Sequence, residues 1–302
     1  MSHDCIDLLR QVVAAHPTAA KASERSVLVG LIGRGIQLSR TPRMHEHEAA
    51  RLGLRCAYVL VDFDALGVAD DSLDAVLDAG KTLGFHGFNV THPFKQAILP
   101  LLDQLAPEAA AIGAVNTVVY AGDRTTGHNT DSWGFAESFR QGLGDVARGK
   151  VVQFGAGGAG AAVAYALMQL GTQELALVDT DQGRAEALAT RLRVDWGDRV
   201  HAIEDVPAAL AGADGVVNAT PVGMAKYPGT PFPIQHLQPQ HWVAEVIYFP
   251  IETELLRAAR ALGCRTLAGT GMAIGQAVRA FELFTGRAST MASMAVHFEA
   301  AA

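Results

Sequence analysis

The amino-acid sequence predicts an α/β protein built from two domains. Short apolar runs rich in Val and Ile, such as VLVGLIG (27–33) and LALVD (175–179), alternate with segments that have the spacing of amphipathic helices. This alternation favours βαβ units and parallel sheets, because a buried parallel strand is apolar on both faces. The chain has 302 residues, which is enough for two domains with separate cores.

Further apolar runs extend the pattern along the chain: CAYVLVDF (56–63), FHGFNV (85–90), AVNTVVY (114–120), VVQFG (151–155), GVVNAT (215–220) and WVAEVIY (242–248). Before the first run, residues 1 to 24 are predicted to form an amphipathic helix and then a small, polar linker. The polar stretch AGDRTTGHNTD (121–131) lies near the middle of the chain, and we expect the domain boundary just after it.

The composition excludes several classes of protein. Hydrophobic residues make up 49% and charged residues 18%, which is typical of a folded globular chain. The net charge is −7 and no run of Lys and Arg is interleaved with aromatic residues, so we expect no nucleic-acid partner. No apolar stretch reaches the roughly 18–20 residues of a membrane span, and we expect a cytoplasmic protein. Cys5, Cys56 and Cys264 lack the paired spacing of zinc or redox sites and are interpreted as structural thiols.

The stretch VVQFGAGGAG (151–160) carries a dinucleotide-binding pattern. Gly155, Gly157 and Gly160 follow a predicted strand and open a predicted helix as G-x-G-x-x-G. The first glycine permits a tight turn, the second lets the backbone approach a pyrophosphate, and the third allows close packing of helix on strand. The helix N-terminus supplies N–H groups for the phosphates, and Asp179 ends the next strand, where a carboxylate can bind ribose hydroxyls. The segment therefore predicts a Rossmann-type dinucleotide site.

The sequence around Asp179 favours NAD over NADP. A carboxylate at this place repels the 2′-phosphate of NADP, and the tripeptide DTD (179–181) offers no arginine to hold that phosphate. Arg184 lies on the following helix and has two interpretations, a solvated helical side chain or a phosphate ligand. The prediction is an NAD site with Arg184 beside it.

Small polar residues cluster where several predicted strands of the first half end. Because ligands of α/β sheets bind at the carboxyl ends of strands, these loops are candidates for one site. Hydroxyls, amides, one ammonium and one carboxylate would suit a small polyhydroxylated acid. Each residue taken singly also has a structural explanation as a turn or cap residue. The candidates are Ser39 and Thr41 in LSRTP, Asn89, Thr91 and Lys95 in NVTHPFK, Asn116 in AVNT, and Asn129 and Asp131 in HNTD.

Lys95 breaks a local rule of helix formation. In GFNVTHPFKQ (87–96) a buried strand runs into a helix that we expect to begin around Pro93, which suits the first helical position. Lys95 then lies in the first helical turn, where the helix dipole disfavours a cation. Such a violation indicates a functional residue.

The segment MHEHE (44–48) does not predict a metal site. His45 and His47 would point in different directions from a helix, and no ligand spacing of known metal geometry follows. We interpret them as packing and surface residues. His92 and His128 carry more weight because they lie inside the polar loops.

Eight stretches carry a resemblance to a known family: GLIGRGIQLSRTPRMHEHEA, GFNVTHPFKQAILPLLD, GAVNTVV, GHNTDSWGF, GAGGAGAAVAYAL, NATPVGM, YFPIETELLRAARALGC and GTGMAIGQAVRAFELFTG. In this order they resemble the motifs of the shikimate dehydrogenase family and cover most of residues 28–286. Within the family the sequence is most similar to the NAD-dependent quinate/shikimate dehydrogenase branch. LSRTP stands where biosynthetic members typically have His-Ser-x-Ser-Pro, and VDTD stands where NADP-dependent members have a turn like Asn-Arg-Thr.

The resemblance implies an N-terminal α/β substrate domain with a parallel-stranded sheet, followed by a Rossmann NAD-binding domain. It also implies that C-terminal helices pack back on the first domain. In this sequence we expect an N-terminal extension over 1–24, a substrate-binding domain over 25–125 and 277–302, and a dinucleotide-binding domain over 126–276.

The implied chemistry is the NAD-dependent oxidation of the C3 hydroxyl of shikimate or quinate, linked to aromatic amino acid biosynthesis. The family's catalytic lysine and aspartate fall on Lys95 and Asp131, and either can be the formal base. Its carboxylate-binding hydroxyls fall on Ser39 and Thr41. Its ring-hydroxyl ligands fall on Thr91, Lys95, Asn116, Asp131 and Gln276, with Tyr248 nearby. Its cofactor contacts fall on Gly155, Ala156, Gly157, Gly158, Ala159, Asp179, Thr220, Val222, Val246, Gly271 and Met272.

Three residues depart from the family pattern. Gly275 stands where the family commonly has a histidine, Glu245 replaces the usual aspartate of its strand, and Gly271 stands where the NAD-dependent branch often has arginine. These departures leave the reaction class intact and leave the choice between shikimate and quinate open.

Other functions compete with this hypothesis. The chain could act on an aminated analogue, or could be a weakly catalytic binding or regulatory relative, although retention of Lys95 and Asp131 counts against the latter. A Rossmann enzyme of unrelated chemistry, such as a methyltransferase, would leave the Lys95 and Asp131 loops unexplained. The expected partners are a small-molecule substrate and NAD, and the family pattern is compatible with a monomer or a homodimer.

Overall fold

The fold is that of a two-domain α/β protein, as the sequence predicts. The computed structural model describes residues 2–18 and 26–299. The chain divides into two compact units, residues 1–130 with 277–302 and residues 131–276, which are called unit 1 and unit 2 below. Each unit contains a six-stranded sheet.

The elements up to residue 128 all belong to unit 1: α1 (Ser2–Ala14), β1 (Ser26–Gly33), α2 (Thr41–Arg51), β2 (Arg55–Asp62), α3 (Phe63–Leu66), α4 (Leu73–Thr82), β3 (Gly87–Val90), α5 (Phe94–Ala97), β4 (Gln104–Leu105), α6 (Pro107–Ile112), β5 (Thr117–Ala121) and β6 (Arg124–His128).

The sheet of unit 1 is mixed, so the expectation of a parallel-stranded sheet is wrong for part of it. Its strand order is β2-β1-β3-β5-β6-β4. Strands β2, β1 and β3 are parallel, whereas β5 is antiparallel to both β3 and β6. The two residues between β5 and β6, Gly122 and Asp123, are too short for a crossover and permit only a hairpin.

Strand β6 lies inside the polar stretch 121–131 and pairs with β5 in the first sheet. Because β6 consists mostly of polar residues, a search for apolar runs does not find it. Thr125 is a buried residue of β6, and its backbone N–H and hydroxyl both donate to the Asp103 carboxylate, at 2.7 and 2.9 Å. Hydrogen bonds therefore satisfy a position that apolar contacts would fill in an ordinary strand.

The remaining elements run from the unit boundary to the C-terminal end: α7 (Thr130–Leu143), β7 (Lys150–Phe154), α8 (Gly158–Gln169), β8 (Glu174–Val178), α9 (Gln182–Trp196), β9 (Val200–Ala202), α10 (Val206–Ala211), β10 (Gly215–Asn218), β11 (Trp242–Glu245), α11 (Glu254–Ala261), β12 (Arg265–Leu267), α12 (Thr270–Thr285) and α13 (Met291–Glu299).

The sheet of unit 2 is parallel throughout, with the order β12-β11-β10-β7-β8-β9. Numbered along unit 2, this is the classic Rossmann order, in which the connections reverse direction between the first and fourth strands. These strands are β7 and β10, and ligands of such sheets bind outside their carboxyl ends. The predicted Rossmann fold is confirmed.

Terminal helices complete the core of unit 1. Cys5 and Leu9 of α1 are buried in the same apolar cluster as Phe88 of β3. Helix α13 contacts α2, so a C-terminal helix packs back on the first unit as expected. Residues 19–25, which include most of the predicted linker, lie outside the described residues. Within the described residues, no helix combines the length and hydropathy needed to cross a membrane.

Candidate active site

The three glycines of the turn after β7 have different physical reasons. Gly155 has a φ of +97°, and a Cβ there would lie 2.6 Å from the carbonyl oxygen of Ala219. A Cβ on Gly160 would overlap the Gly155 carbonyl group. Gly157 has an ordinary φ of −74° and would place a Cβ in open space, with no atom within 4 Å. Packing therefore explains the first and third glycines, whereas the second leaves room for a group from outside the chain.

Helix α8 offers hydrogen-bond donors beside that open space. It begins at Gly158, with Gly157 as an N-cap that has no side chain to bond the first turn. The N–H groups of Gly158, Ala159 and Gly160 have no partner four residues earlier inside the helix, because they form its first turn. Open space, free donors and the positive end of a helix dipole together fit a pyrophosphate.

The side chain of Gln153 stabilises this turn by hydrogen bonds. The sequence analysis did not single out this residue. Its side chain is fully buried in β7, and Nε2 donates to the carbonyl oxygens of Gly155 and Gly160, at 2.9 and 2.8 Å. The sequence did contain a sign of this role, since Gln153 is a polar residue inside the apolar run VVQF. A polar side chain in a buried strand needs a hydrogen-bond partner.

The Asp179 carboxylate joins the end of β8 to the glycine turn. Oδ2 accepts from the backbone N–H of Ala156 at 2.8 Å, and Oδ1 accepts from Asp181 N–H at 3.0 Å. Arg184 lies 3.7 Å from the carboxylates of both Asp179 and Asp181, and its side chain is 55% exposed. The guanidinium therefore already faces two negative charges, and a 2′-phosphate at this place would face them as well.

Beyond β10, Asn218 organises the loop that contains two predicted cofactor residues. Its Oδ1 accepts from the backbone N–H and the hydroxyl of Thr220, at 3.0 and 2.7 Å. Its Nδ2 donates to the Val222 carbonyl at 2.9 Å, and Val222 N–H donates to the Thr220 hydroxyl oxygen at 3.1 Å. The conformation of residues 218–222 is thus set by one buried amide, which the sequence analysis did not identify.

Glu245, at the end of β11, is bonded to Asn218. Its Oε2 accepts from Asn218 Nδ2 and from the Thr253 hydroxyl, both at 3.1 Å. Its Oε1 accepts from the N–H groups of Val246 and Ile247, at 3.1 and 3.2 Å. Burial raises the pKa of Glu245 to about 7, although these hydrogen bonds act in the opposite direction. Asn218, Thr220, Glu245 and Thr253 are called the Asn218–Glu245 cluster below.

Two of the departures from the family pattern lie where α7 and α12 approach closely in unit 2. A Cβ at Gly271 would overlap the Ser138 hydroxyl, so a larger residue such as arginine requires Ser138 to move. A Cβ at Gly134 would lie 2.5 Å from the backbone nitrogen of Gln276 and 3.0 Å from the carbonyl carbon of Gly275. The glycines permit the contact between these helices.

Three further predicted site residues of unit 2 lie on α12 or shortly after β11. Met272 is buried, and Gln276 is half-buried with its Nε2 donating to the Ala273 carbonyl at 3.0 Å. Tyr248 follows β11 and is 45% exposed.

In unit 1, Ser39 and Thr41 lie on the connection between β1 and α2, which a buried carboxylate holds. Asp62, at the end of β2, accepts from Gly35 N–H, Ile36 N–H and Gln37 Nε2, at 3.0, 3.0 and 2.8 Å. A fourth bond comes from Asp64 N–H at 3.1 Å. Burial tends to raise the pKa of Asp62, but the hydrogen bonds outweigh it and hold the pKa below its ordinary value.

Ser39 and Thr41 are half-buried, and Thr41 is the first residue of α2. Thr41 N–H donates to the Ser39 Oγ at 3.3 Å, and Ser39 N–H donates to the Ile36 carbonyl at 2.9 Å. Arg40 between them donates to the Phe298 carbonyl of α13 at 3.1 Å. The connection is therefore fixed at both ends, by Asp62 and by α13.

Lys95 lies on a single helical turn, α5, that follows β3. The helix begins at Phe94, and Pro93 precedes it with a cis His92–Pro93 peptide bond. The expected start around Pro93 is therefore met, with Pro93 as the N-cap and Phe94 as the first helical residue. The backbone carbonyl of Lys95 accepts from Val115 N–H at 2.8 Å, which ties the turn to the segment before β5. Thr91 N–H donates to the Ile32 carbonyl at 2.9 Å, so Thr91 continues the pairing of β3 with β1.

Asn116 secures the start of α7. Its Oδ1 accepts from the Thr130 N–H at 2.8 Å and the Thr117 hydroxyl at 3.0 Å, and its Nδ2 donates to the Thr130 hydroxyl oxygen at 3.0 Å. Asp131 follows Thr130 in the first turn of α7 and is buried.

The histidines have separate structural roles. His45 is buried against the rings of Tyr58, Phe281 and Phe284, and burial lowers its pKa to about 3. The ring of His47 stacks on that of His297, with centroids 4.6 Å apart. The Nδ1 atom of His128 lies 3.3 Å from the Glu108 carboxylate, whereas His92 is exposed.

No group of three or more metal-ligating side chains occurs in residues 2–18 and 26–299. The three cysteines are buried free thiols, and burial raises the pKa of Cys56 to about 12, which keeps it protonated and unreactive.

Comparison with known proteins identifies the family. The family model for the shikimate dehydrogenase substrate binding domain matches residues 31–118. A shikimate dehydrogenase (NADP(+)) of Streptomyces avermitilis is 54% identical over 268 residues, which cover 88% of this chain and 92% of the relative. A quinate/shikimate dehydrogenase (NAD(+)) of Corynebacterium efficiens is also 54% identical, over 86% of this chain and 93% of the relative.

Among solved structures, the quinate dehydrogenase from Corynebacterium glutamicum in complex with NAD superposes with a TM-score of 0.87 and 49% sequence identity, covering 91% of this chain and 99% of that one. Relatives of both cofactor types thus match the chain over nearly its whole length. The protein belongs to the shikimate dehydrogenase family, and it is an oxidoreductase that uses a pyridine nucleotide.

Proposed function

We propose that this protein oxidises the C3 hydroxyl of shikimate, quinate or both with NAD, giving 3-dehydroshikimate or 3-dehydroquinate. The observation that carries the proposal is the 54% identity with a quinate/shikimate dehydrogenase (NAD(+)) over 86% of the chain. A further support is the similarity of this fold to a quinate dehydrogenase in complex with NAD, with a TM-score of 0.87.

The proton transfer is assigned to Lys95 and Asp131. In the oxidation direction this pair would take the hydroxyl proton of the alcohol, and a bound nicotinamide would supply the hydride acceptor. Lys95 lies on the single turn α5, and Asp131 lies in the first turn of α7. Either residue can be the formal base.

Substrate binding is assigned to polar groups at the strand ends of unit 1. The hydroxyls of Ser39 and Thr41 would receive the substrate carboxylate on a connection that Asp62 keeps rigid. Asn116 Oδ1 already accepts hydrogen bonds from Thr117 and Thr130, so Asn116 would contribute a donor from its Nδ2. The remaining ring-hydroxyl ligands would be Thr91, Lys95, Asp131 and Gln276, with Tyr248 nearby.

The cofactor is proposed to be NAD. The Asp179 carboxylate is 7% exposed and anchored to the glycine turn, so it cannot turn away from a 2′-phosphate without losing the hydrogen bond from Ala156. Arg184 lies close to both Asp179 and Asp181, so the two carboxylates offset its positive charge and weaken its attraction for a phosphate. The cofactor would further contact Thr220, Val222, Val246, Gly271 and Met272.

Steady-state kinetics with four pairs of substrates test this proposal. NAD and NADP are each combined with shikimate and with quinate at mildly alkaline pH, and the formation of reduced nicotinamide is followed. For each acid that is turned over, we expect kcat/KM with NAD to exceed that with NADP by at least about tenfold, because a buried carboxylate repels the extra phosphate. A preference for NADP would show that Asp179 does not select the cofactor. No rate with any pair would favour an aminated analogue or a binding function.

A further inference from the structure

We propose that Glu245 is a positioning residue for the nicotinamide side of the cofactor site, and that its carboxylate holds the ends of β10 and β11 in the conformation that binds the cofactor. The inference rests on the proposed binding of NAD by Thr220, Val222 and Val246. It adds a residue that touches neither reactant and acts through Asn218 and the backbone.

The first support is geometric. Glu245 Oε1 accepts from the backbone of Val246 and Ile247, and Oε2 accepts from Asn218 Nδ2. One carboxylate therefore bonds both to the end of its own strand and to the neighbouring strand. Asn218 passes the constraint on, because the same amide sets the positions of Thr220 and Val222. All three predicted cofactor residues of this region lie within two hydrogen bonds of Glu245.

The second support is the count of donors around the carboxylate. An ionised carboxylate has about four acceptor positions. In this site four donors point at it: two N–H groups, the Asn218 amide and the Thr253 hydroxyl. A proton on Oε1 would meet an N–H group, and a proton on Oε2 would require the Thr253 hydroxyl to turn and accept instead of donate. Only the ionised form accepts from all four donors at once.

The surroundings bring the ionisation into the neutral range. Glu245 is 1% exposed, and its side-chain partners Asn218 and Thr253 are equally buried, so the charged form receives little solvation from water. Burial accordingly raises the pKa of Glu245 to about 7. The ionised and protonated states are therefore both populated near neutral pH.

Charged groups on the neighbouring elements do not contact the carboxylate. Strand β10 has no charged residue, and β12 has only Arg265, which pairs with Asp145. Near the start of α11, Glu252, Glu254 and Arg257 are exposed. The titration of Glu245 is governed by burial and its four hydrogen bonds.

A direct measurement of NAD+ binding tests the proposal. The dissociation constant is measured by calorimetry without substrate, from about pH 5.5 to about pH 8.5, for the wild type and for Glu245→Gln. Glutamine has the same shape, but its Nε2 cannot accept from Asn218 and Thr253, so the variant imitates the protonated glutamate. We expect NAD+ to bind Glu245→Gln about tenfold more weakly at alkaline pH, without dependence on pH around 7. The wild type should approach the variant as the pH falls.

Two further variants control the experiment. Asp62→Asn removes a buried carboxylate of unit 1 that likewise accepts four hydrogen bonds, and it should leave the NAD+ affinity and its pH profile as in the wild type. Glu245→Asp restores a carboxylate on a side chain shorter by one methylene, and it should retain a pH dependence that Glu245→Gln has lost. The thermal midpoint of each cofactor-free variant shows that it is folded.

The outcomes separate this inference from the proposed function. If the wild type binds NAD+ and turns over substrate but Glu245→Gln has the same affinity and pH profile, the positioning role is wrong. If the profile changes equally in Asp62→Asn, the effect is not local to Glu245, and the proposal also fails. If the wild type binds NADP+ instead, the proposed cofactor is wrong, and the same titrations with NADP+ test Glu245, because both cofactors share the nicotinamide half.

Discussion

Two buried carboxylates, one in each unit, have the same number of hydrogen bonds and opposite pKa shifts. Asp62 ends β2, Glu245 ends β11, and each accepts four hydrogen bonds while only 1% exposed. The pKa of Asp62 lies below its ordinary value, whereas that of Glu245 is raised to about 7. The number of hydrogen bonds alone therefore does not decide the charge state.

The difference lies in the partners of each carboxylate. Gly35 and Gln37, which bond Asp62, are exposed, so water remains close to that charge. Asn218 and Thr253, which bond Glu245, are themselves buried. At Glu245 the loss of hydration therefore outweighs the hydrogen bonds and raises the pKa, whereas at Asp62 the hydrogen bonds outweigh it and lower the pKa. Asp62 is therefore ionised around neutral pH and keeps the connection that carries Ser39 and Thr41 fixed. The loops that carry the proposed cofactor residues are instead joined by Glu245, which changes its charge near pH 7.

The largest expected effect is a loss of turnover without a loss of NAD+ binding, after a substitution in unit 1. If Lys95 takes part in proton transfer, Lys95→Ala should lower kcat by about 10²–10⁴-fold, because a positioned acid–base group contributes that much. Its affinity for NAD+, measured by calorimetry, should not change. Lys81→Ala, which removes an exposed ammonium that bonds the Asp123 carbonyl, is the matched control and should retain full activity. An unchanged kcat in Lys95→Ala would remove Lys95 from the mechanism.

The next effect concerns stability and has opposite signs at the two carboxylates. Because the pKa of Glu245 is raised from 4.5 to about 7, the folded state holds more protons than the unfolded state between these values. The contribution of Glu245 to the free energy of unfolding therefore falls by about 3 kcal/mol as the pH rises through this window, and is constant above it. Urea unfolding of the wild type and Glu245→Gln at several pH values should show this difference.

Asp62 should behave in the reverse sense. Its pKa is lowered in the folded state, so its stabilising contribution is present above its unfolded pKa and is lost as the pH falls through the folded one. The difference between the wild type and Asp62→Asn should therefore shrink in acid. Parallel pH profiles for the two pairs of proteins would contradict the contrast between the carboxylates.

The smallest effect separates ligand space from packing space within the glycine turn. Gly157→Ala should fold normally and weaken NAD+ binding by about tenfold, since its methyl group enters the open space assigned to the pyrophosphate. Gly160→Ala should instead lose about 1–3 kcal/mol of stability, because its methyl group overlaps the Gly155 carbonyl. Gly212→Ala, also in open space but at the end of α10, is the control and should change neither property. Normal NAD+ binding by Gly157→Ala would exclude the assigned pyrophosphate position.

Much of the fold could be predicted because local patterns determine it. Every apolar run that the sequence analysis identified contains a strand. Of the pattern G-x-G-x-x-G, Gly155 and Gly157 stand between β7 and α8, and Gly160 lies in the first turn of α8. Buried parallel strands need continuous apolar residues, and a tight turn needs glycine, so both leave a mark in the sequence. Strand β6 left no such mark, because Thr125 is satisfied by Asp103, 22 residues away.

The candidate site divides in the same way. Asp179 could be predicted, because its position at the end of β8 follows from the spacing of the motif. Asp62 could not, since its partners Gly35, Ile36 and Gln37 lie 27, 26 and 25 residues away. Gln153 and Asn218 also bond residues close in the chain, but a single polar residue in a strand does not show which groups it will bond. Glu245 stood out only as a departure from the family pattern, and its bonds to Asn218 and Thr253 span 27 and 8 residues.

The sequence by itself therefore determined the alternation of strands and helices, the glycine turn, the family and the residues proposed for chemistry. The tertiary structure decided the antiparallel strand β5 of the first sheet and the joining of β10 to β11 through the Asn218–Glu245 cluster. It also decided the opposite pKa shifts of Asp62 and Glu245. The physical reason is that hydrogen-bond partners and solvation depend on residues far apart in the chain, whereas strand patterns and turns depend on neighbours.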